Sequence, residues 1–256
     1  MTTALLTATA LHKSFGGVRA VQNISLAVPD KSIFAIIGPN GAGKSTLLNL
    51  LSGTYQPDSG TLRLQTNELT GLPAHRRVRL GLARTFQKIR LFKQLTVLEN
   101  VLAGFHIHHR IPFLQYLVPG AAYWRDHRRC RERAQELLEL VGLGELADQR
   151  AGSLPYGRQR MLEIARALAT EPMLFMLDEP AAGLNGAEVE FLLGLLRKIG
   201  QRGVTVVVVE HNMDLVMNVA ERVFVMDQGE YLFEGTPRQV QDEPAVIAAY
   251  LGGEFT

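Results

Sequence analysis

Hydrophobic residues fall along this chain in two rhythms. Residues 32–37, 174–177 and 204–209 are short, almost wholly apolar runs, the pattern of strands covered on both faces of a parallel sheet. Residues 46–51 and 187–199 carry leucines at helical spacing, which predicts helices packed on those strands. The stretch from about Leu5 to Leu64 reads as β-rich, with Ile24, Leu26, Val28, Ile33, Ile36, Leu62 and Leu64 at strand-like positions. Residues 223–226 and 231–233 flank Asp227-Gln228-Gly229 and predict a hairpin.

From about Lys88 to Arg160 the rhythm turns helical and charges become frequent. Thr96-Val97-Leu98-Glu99 is a capping-box pattern, so a helix should start near Thr96. Residues 132–141 carry leucines at helical spacing and stop at Gly142 and Gly144, and 159–169 reads as another helix. The pattern is that of a parallel-sheet core, 1–87 and 161–256, interrupted by a helical subdomain at 88–160, within one domain of 1–256.

One loop in this scheme carries obvious chemistry. Gly38-Pro39-Asn40-Gly41-Ala42-Gly43-Lys44-Ser45 stands between the 32–37 strand and the helix opening at Thr46. In that setting glycines let backbone N–H groups curl around phosphate oxygens, and the helix N-terminus adds its positive dipole end. Lys44 would reach the β- and γ-phosphates and the Ser45 hydroxyl would ligate Mg²⁺, so the loop reads as a nucleoside triphosphate site.

Two further strand ends fit beside it. The 173–177 run finishes in Asp178-Glu179, placing both acids at the carboxyl edge of the sheet, where open α/β sheets bind ligands. Asp178 would hold Mg²⁺ directly or through water, and Glu179 would polarise an attacking water. The 206–209 run ends in Glu210-His211, which offers His211 for a hydrogen bond to the γ-phosphate and that water. Gln87, in Ala83-Arg84-Thr85-Phe86-Gln87, lies where the core gives way to the helical segment. Its amide oxygen could touch Mg²⁺ or water while its backbone moves with the subdomain.

Composition narrows the setting. The 256 residues are 46 % hydrophobic and 20 % charged, with a net charge of +2, which suits a globular protein with no bulk attraction to nucleic acid. The basic run 125–133 reads as a solvated helix face, with a contact to anionic lipid or a partner as the alternative. The single cysteine, Cys130, excludes an intrachain disulfide and fits a reducing compartment. His106, His108 and His109 have no carboxylate or cysteine at useful spacing, so they read as solvent-exposed rather than metal-binding. The N-terminus lacks the basic start of a signal peptide, and no apolar run approaches the roughly 18 residues needed to cross a bilayer. The best candidate, 111–118, is short and reads as a packed or partner-facing segment.

Together these elements resemble the ATP-binding cassette family over nearly the whole chain. Phe15 matches the aromatic that stacks on adenine, Gly38 to Thr46 the Walker A loop and Gln87 the Q-loop. Asp178 and Glu179 match Walker B, Ala182-Gly183-Leu184-Asn185 the D-loop and His211 the switch histidine. The resemblance implies an α/β fold: a P-loop NTPase (RecA-like) core with a parallel sheet, an N-terminal antiparallel β subdomain and an inserted α-helical subdomain. It implies ATP and Mg²⁺ as ligands. It also implies a second ATPase subunit, identical or different, with two ATP molecules sandwiched between Walker A of one cassette and the signature of the other.

In that signature the chain departs from the family. Where Leu-Ser-Gly-Gly-Gln is usual, Leu154-Pro155-Tyr156-Gly157-Arg158 stands. Pro155 offers neither hydroxyl nor N–H to a partner's γ-phosphate. Tyr156 adds bulk, Gly157 keeps a flexible N–H and Arg158 adds a guanidinium. The expectation is a weaker contact to the partner's ATP.

Tyr156-Gly157 with Gln159-Arg160 and 162–166, Ala83 to Gln87 with Leu91-Phe92, the long insert at about 104–124, residues 179–185 and the ending 249–252 are similar to the branched-chain amino acid importer cassettes. Urea and lipopolysaccharide transporter cassettes share several of these patterns. The resemblance implies a peripheral ATPase on the cytoplasmic face of the inner membrane, attached to two permease subunits and served by an external solute-binding protein, without nucleic acid. Soluble ATPases of the family and a nucleotide-gated module with negligible hydrolysis are the rival readings.

Overall fold

The computed structural model describes residues 4–107 and 121–252. The 111–118 run, His108 and His109 lie outside the described residues. The chain packs as two compact units, Met1–Gln87 with Met173–Thr256, and Lys88–Pro172. The return to the first unit thus falls at Met173 rather than at 161. The helix Tyr156–Leu168 is continuous and packs on the other helices of the second unit, so its second half stays there.

Two sheets build the first unit. In one, β1 (Ala4–Phe15), β2 (Val18–Pro29), β4 (Ser59–Leu64) and β5 (Asn67–Glu68) lie in the order β2-β1-β4-β5, all antiparallel. Ala8, Ile24, Leu26, Val28, Leu62 and Leu64 are buried between more exposed neighbours, the alternation expected of a sheet covered on one face.

The other sheet includes β3 (Ile33–Ile37), β6 (Leu82–Arg84), β7 (Leu174–Asp178) and β8 (Thr205–Val209), with β9 (Arg222–Asp227) and β10 (Glu230–Gly235), in the order β10-β9-β3-β8-β7-β6. All its pairings are parallel except the β9–β10 hairpin. Every residue of β3, β7 and β8 is buried, which is why these strands are apolar apart from Asp178 and Thr205 at their ends. Parallel order puts the carboxyl ends of β3, β7 and β8 at one edge of the sheet, so the loops after Ile37, Asp178 and Val209 emerge together.

The first unit's helices begin with α1 (Lys44–Ser52), which follows β3, and the short α2 (Ala74–Arg79). Arg77 of α2 is fully buried and donates through Nη1 to Leu50 O and Leu51 O at 2.6 and 2.8 Å, closing the C-terminus of α1 with a cation. In the second unit α3 (Val97–Phe105) starts at a complete Thr96–Glu99 capping box and packs with α4 (Ala121–Leu140) and α5 (Tyr156–Leu168) around Val97, Val101, Phe105, Ala134, Leu138 and Leu162. Gly104 permits the close approach of α3 to α5, since a Cβ there would sit 2.4 Å from Arg166 O. Back in the first unit follow α6 (Gly186–Gln201), α7 (Met213–Val219), α8 (Pro237–Asp242) and α9 (Pro244–Gly252).

Candidate nucleotide site

The loop between β3 and α1 shows what its glycines are for. Gly43 takes φ of +94°, and a Cβ on it would lie 2.2 Å from Ala20 O, so only glycine lets the loop turn beneath the helix. The first helical bond runs from Leu47 N to Gly43 O at 2.9 Å. The N–H groups of Lys44, Ser45 and Thr46 therefore precede any intrahelical acceptor, and no side chain caps this helix start. Around Gly41 no heavy atom lies within 4 Å of an added Cβ, so the loop is open there. Open space beside uncapped N–H groups is the shape a chain of phosphates requires.

Lys44 is 7 % exposed. Its Nζ donates to Gly38 O at 2.8 Å and Pro39 O at 2.9 Å, folding the side chain over the loop. Burial lowers its pKa from the ordinary lysine value, and the negative charge of Glu179 opposes that shift.

The acidic strand end is held from several sides. Asp178 Oδ2 pairs with Arg84 Nη2 at 2.7 Å, and the Thr85 hydroxyl accepts from the Asp178 N–H at 3.4 Å. The next residue, Glu179, takes φ of +45° and donates its N–H to Val209 O at 2.9 Å. Its carboxylate meets both other residues that the sequence pointed to. Gln87 Nε2 donates to Glu179 Oε2 at 3.1 Å, and His211 Nδ1 lies 3.8 Å from Glu179 Oε1. Gln87 here offers its amide N–H to Glu179. Phe15 is 41 % exposed at the end of β1, with Tyr55 edge-on at 5.3 Å and Lys13 Nζ 5.4 Å from its ring.

Phe15, Gly38 to Thr46, Gln87, Asp178, Glu179 and His211 all belong to the first unit, whereas Pro155 to Arg158 belong to the second. There Pro155 is the N-cap of α5, and Tyr156, Gly157 and Arg158 form its first turn. The helix thus begins at 156 rather than 159, closed by Gln159 N to Pro155 O at 3.0 Å. Proline can sit at a helix start because it sacrifices only an N–H that would be unpaired anyway. Gly157 is accordingly buried in helix rather than free in a loop, while Pro155, Tyr156 and Arg158 are exposed.

Three residues near the site escaped the sequence reading. Arg84 was quoted only as part of a motif, yet it grips Asp178. Glu210, adjacent to His211, is fully buried and accepts from Ala181 N–H at 2.9 Å. Tyr250 of α9 packs on the cluster around Ala35 and Ile37, where burial pushes its hydroxyl up to about 12 despite the Gly38 N–H beside it. Adjacency to recognised residues was a signal that could have found the first two, but nothing in the pattern pointed Tyr250 at the loop.

Ser45, Asp178 and Gln87 offer hydroxyl, carboxylate and amide oxygens, the hard donors that suit Mg²⁺. Among the described residues no group of three or more His, Cys, Asp or Glu side chains is placed to hold a metal, so a softer or all-protein cation site is not offered here. The oxygen set beside an open phosphate cradle fits a cation that arrives with nucleotide phosphates.

A parallel sheet with a glycine loop and uncapped helix at one strand end and an Asp-Glu pair at another defines a P-loop nucleotide-binding protein. Residues 21–182 match the ABC transporter family and 232–256 match the family described as branched-chain amino acid ATP-binding cassette transporter. The chain belongs to the ABC transporter family of ATP-binding cassettes. It is 46 % identical over 253 residues, 98 % of this chain and 99 % of the relative, to the high-affinity branched-chain amino acid transport ATP-binding protein BraF of Pseudomonas aeruginosa. Among solved structures it resembles the ADP conformation of MJ1267, an ATP-binding cassette of an ABC transporter (TM-score 0.85, 31 % identity, 98 % of this chain and 100 % of that one). It also resembles the dimeric post-hydrolysis state of the cassette MJ0796 bound to ADP and Pi (TM-score 0.77, 27 % identity, 91 % and 99 %).

Proposed function

We propose that this chain hydrolyses ATP as one cassette of a paired ATPase that drives an importer of branched-chain or related amino acids. The observation that carries the hydrolytic part is the meeting of Gln87 and His211 on the Glu179 carboxylate, beside Lys44. The amino-acid part rests on the full-length similarity to BraF.

In this reading the N–H groups of Gly38 to Thr46 cradle the phosphates, Pro39, Asn40 and Ala42 shaping the loop, and Lys44 leaves the Gly38 and Pro39 carbonyls to bind the γ-phosphate. Phe15 stacks on adenine, steadied by Tyr55. Ser45, Asp178 and Gln87 hold Mg²⁺, which supplies charge neutralisation on the phosphate oxygens. Glu179 takes the proton of the attacking water, and His211 orients that water and the γ-phosphate. The second cassette presents its signature to this site, and Pro155 to Arg158 face the partner's ATP. Two permease subunits and an external binding protein complete the machine. Among the described residues no helix is long and apolar enough to cross a membrane; the chain sits peripherally on the cytoplasmic face.

The test is uptake of labelled leucine, isoleucine and valine by cells carrying the assembled transporter, with wild-type chain or Glu179→Gln. The variant should lose turnover by about 10²- to 10⁴-fold while still binding ATP. Turnover equal to wild type would reject the catalytic assignment, and ATP-dependent uptake of none of the three amino acids would reject the substrate class.

A further inference from the structure

Arg84 stands at the junction of all three elements that carry the metal-binding side chains, and this goes beyond the role of any motif already described. It is the last residue of β6, paired with Met176 two residues before Asp178. All three of its guanidinium nitrogens are engaged. Nη2 meets Asp178 Oδ2 at 2.7 Å, Nη1 donates to Asn49 Oδ1 at 2.6 Å and Ser52 Oγ at 2.8 Å, and Nε donates to Thr85 O at 3.2 Å. Asn49 and Ser52 stand on α1, one turn and two turns beyond Ser45. Gln87 follows Arg84 by three residues.

The pair is buried: the Arg84 and Asp178 side chains are each 7 % exposed. Two consequences follow from the chemistry of a guanidinium. Its planar fork serves four partners at once, which an ammonium with three donors could not do. It therefore fixes the spacing between the helix carrying Ser45 and the strand end carrying Asp178. It also commits Oδ2, leaving Oδ1 for a metal or its water. The second consequence is electrostatic. A permanent positive charge 2.7 Å from the carboxylate offsets most of that carboxylate's attraction for another cation in a low-dielectric site.

We propose that Arg84 is a positioning residue that makes divalent-metal binding depend on nucleotide: it aligns Asp178 yet neutralises it, so the phosphates must supply the remaining charge. The proposal rests on the reading of Ser45, Asp178 and Gln87 as the metal site. A metal held in the absence of nucleotide would occupy the phosphate cradle's cation position prematurely, and Arg84 prevents this without blocking the position itself.

The test is Mn²⁺ binding to the purified chain, read by electron paramagnetic resonance with and without ADP. Arg84→Gln should raise affinity for Mn²⁺ without nucleotide by about tenfold and shrink the enhancement that ADP produces. Arg84→Lys, which keeps the charge, should stay within about twofold of wild type without nucleotide. Arg84→Met, neutral and unbranched, serves if glutamine leaves the protein unfolded, and the same rise is expected from it. Nucleotide-free Mn²⁺ affinity of the neutral variant within about twofold of wild type overturns the proposal. Asp178→Asn separates the two readings: if it binds Mn²⁺·ADP as wild type does, the metal-site assignment itself fails.

Discussion

The buried carboxylate of Glu210 accepts the N–H of Ala181 at 2.9 Å through one oxygen, and through the other the N–H groups of His211 and Asn212 at 3.1 and 3.3 Å. It clips the turn following Glu179 to the turn carrying His211. Burial pushes the Glu210 carboxyl above its usual value, while the three N–H donors pull the other way. Replacing Glu210 by alanine orphans the buried Ala181 N–H, at about 1–3 kcal/mol for a buried group left unsatisfied, and frees the part-buried N–H groups of His211 and Asn212. Urea denaturation of Glu210→Ala should show that loss, and ATP turnover should fall with it because Glu179 and His211 lose their common anchor. Glu210→Gln, which keeps one acceptor oxygen, should lose less of both.

Lys44 gives nucleotide binding an alkaline limit. Its pKa is lowered by burial, so the ammonium discharges at lower pH than that of an ordinary lysine. Phosphates need the charged form. Affinity for ADP should therefore weaken as pH rises through the lowered pKa, within a titration between about pH 7 and 10 followed by calorimetry. Lys44→Arg should flatten this limb, since a guanidinium stays charged throughout. A pH profile identical in the two proteins would remove Lys44 from phosphate binding.

Inside the second unit, Glu163 joins Arg160 Nη1 at 2.9 Å and accepts the Arg90 N–H at 3.1 Å, with both side chains almost wholly buried. Arg166 donates to Arg90 O from the same helix. These bonds bolt the segment just past Gln87 onto the helix that begins at the signature. Glu163→Ala leaves a buried guanidinium without its carboxylate and should cost about 3–5 kcal/mol, whereas replacing both partners by Leu and Met should recover most of it. Chemical denaturation of the single and double variants separates a charge defect from a packing defect.

At the start of that helix Pro155 provides no side-chain cap. Pro155→Ser restores a hydroxyl, worth about 1 kcal/mol to the helix if it caps, and gives the partner's γ-phosphate a donor. In the assembled transporter ATP turnover should rise. Unchanged turnover and ATP affinity would mean that Arg158 and the helix dipole already suffice.

What the chain disclosed in advance was local or periodic. β3, β7 and β8 were legible because strands covered on both faces are almost wholly apolar. The Thr96–Glu99 box was legible because its two reciprocal bonds need particular residues at fixed spacing. Lys44, Asp178 and Glu179 could be singled out as candidates because each stands at a strand or helix end. The first turn of α5 was misread, since proline and glycine look like breakers until a carbonyl, here that of Pro155, is seen accepting the first helical bond. Arg84 and Glu210 stood in plain view beside recognised residues, but their partners lie 35 and 29 positions away for Asn49 and Ala181. No periodicity encodes a contact of that reach.

Glu179 holds its carboxylate on a left-handed backbone, φ +45°, a conformation costing a residue other than glycine roughly 1–2 kcal/mol. Glycine at this position would relax the backbone and discard the carboxylate we propose as the base in one step. Heat tolerance and turnover therefore pull this codon in opposite directions, and a library selected for thermal survival alone would drift toward a cassette that grips ATP and never spends it.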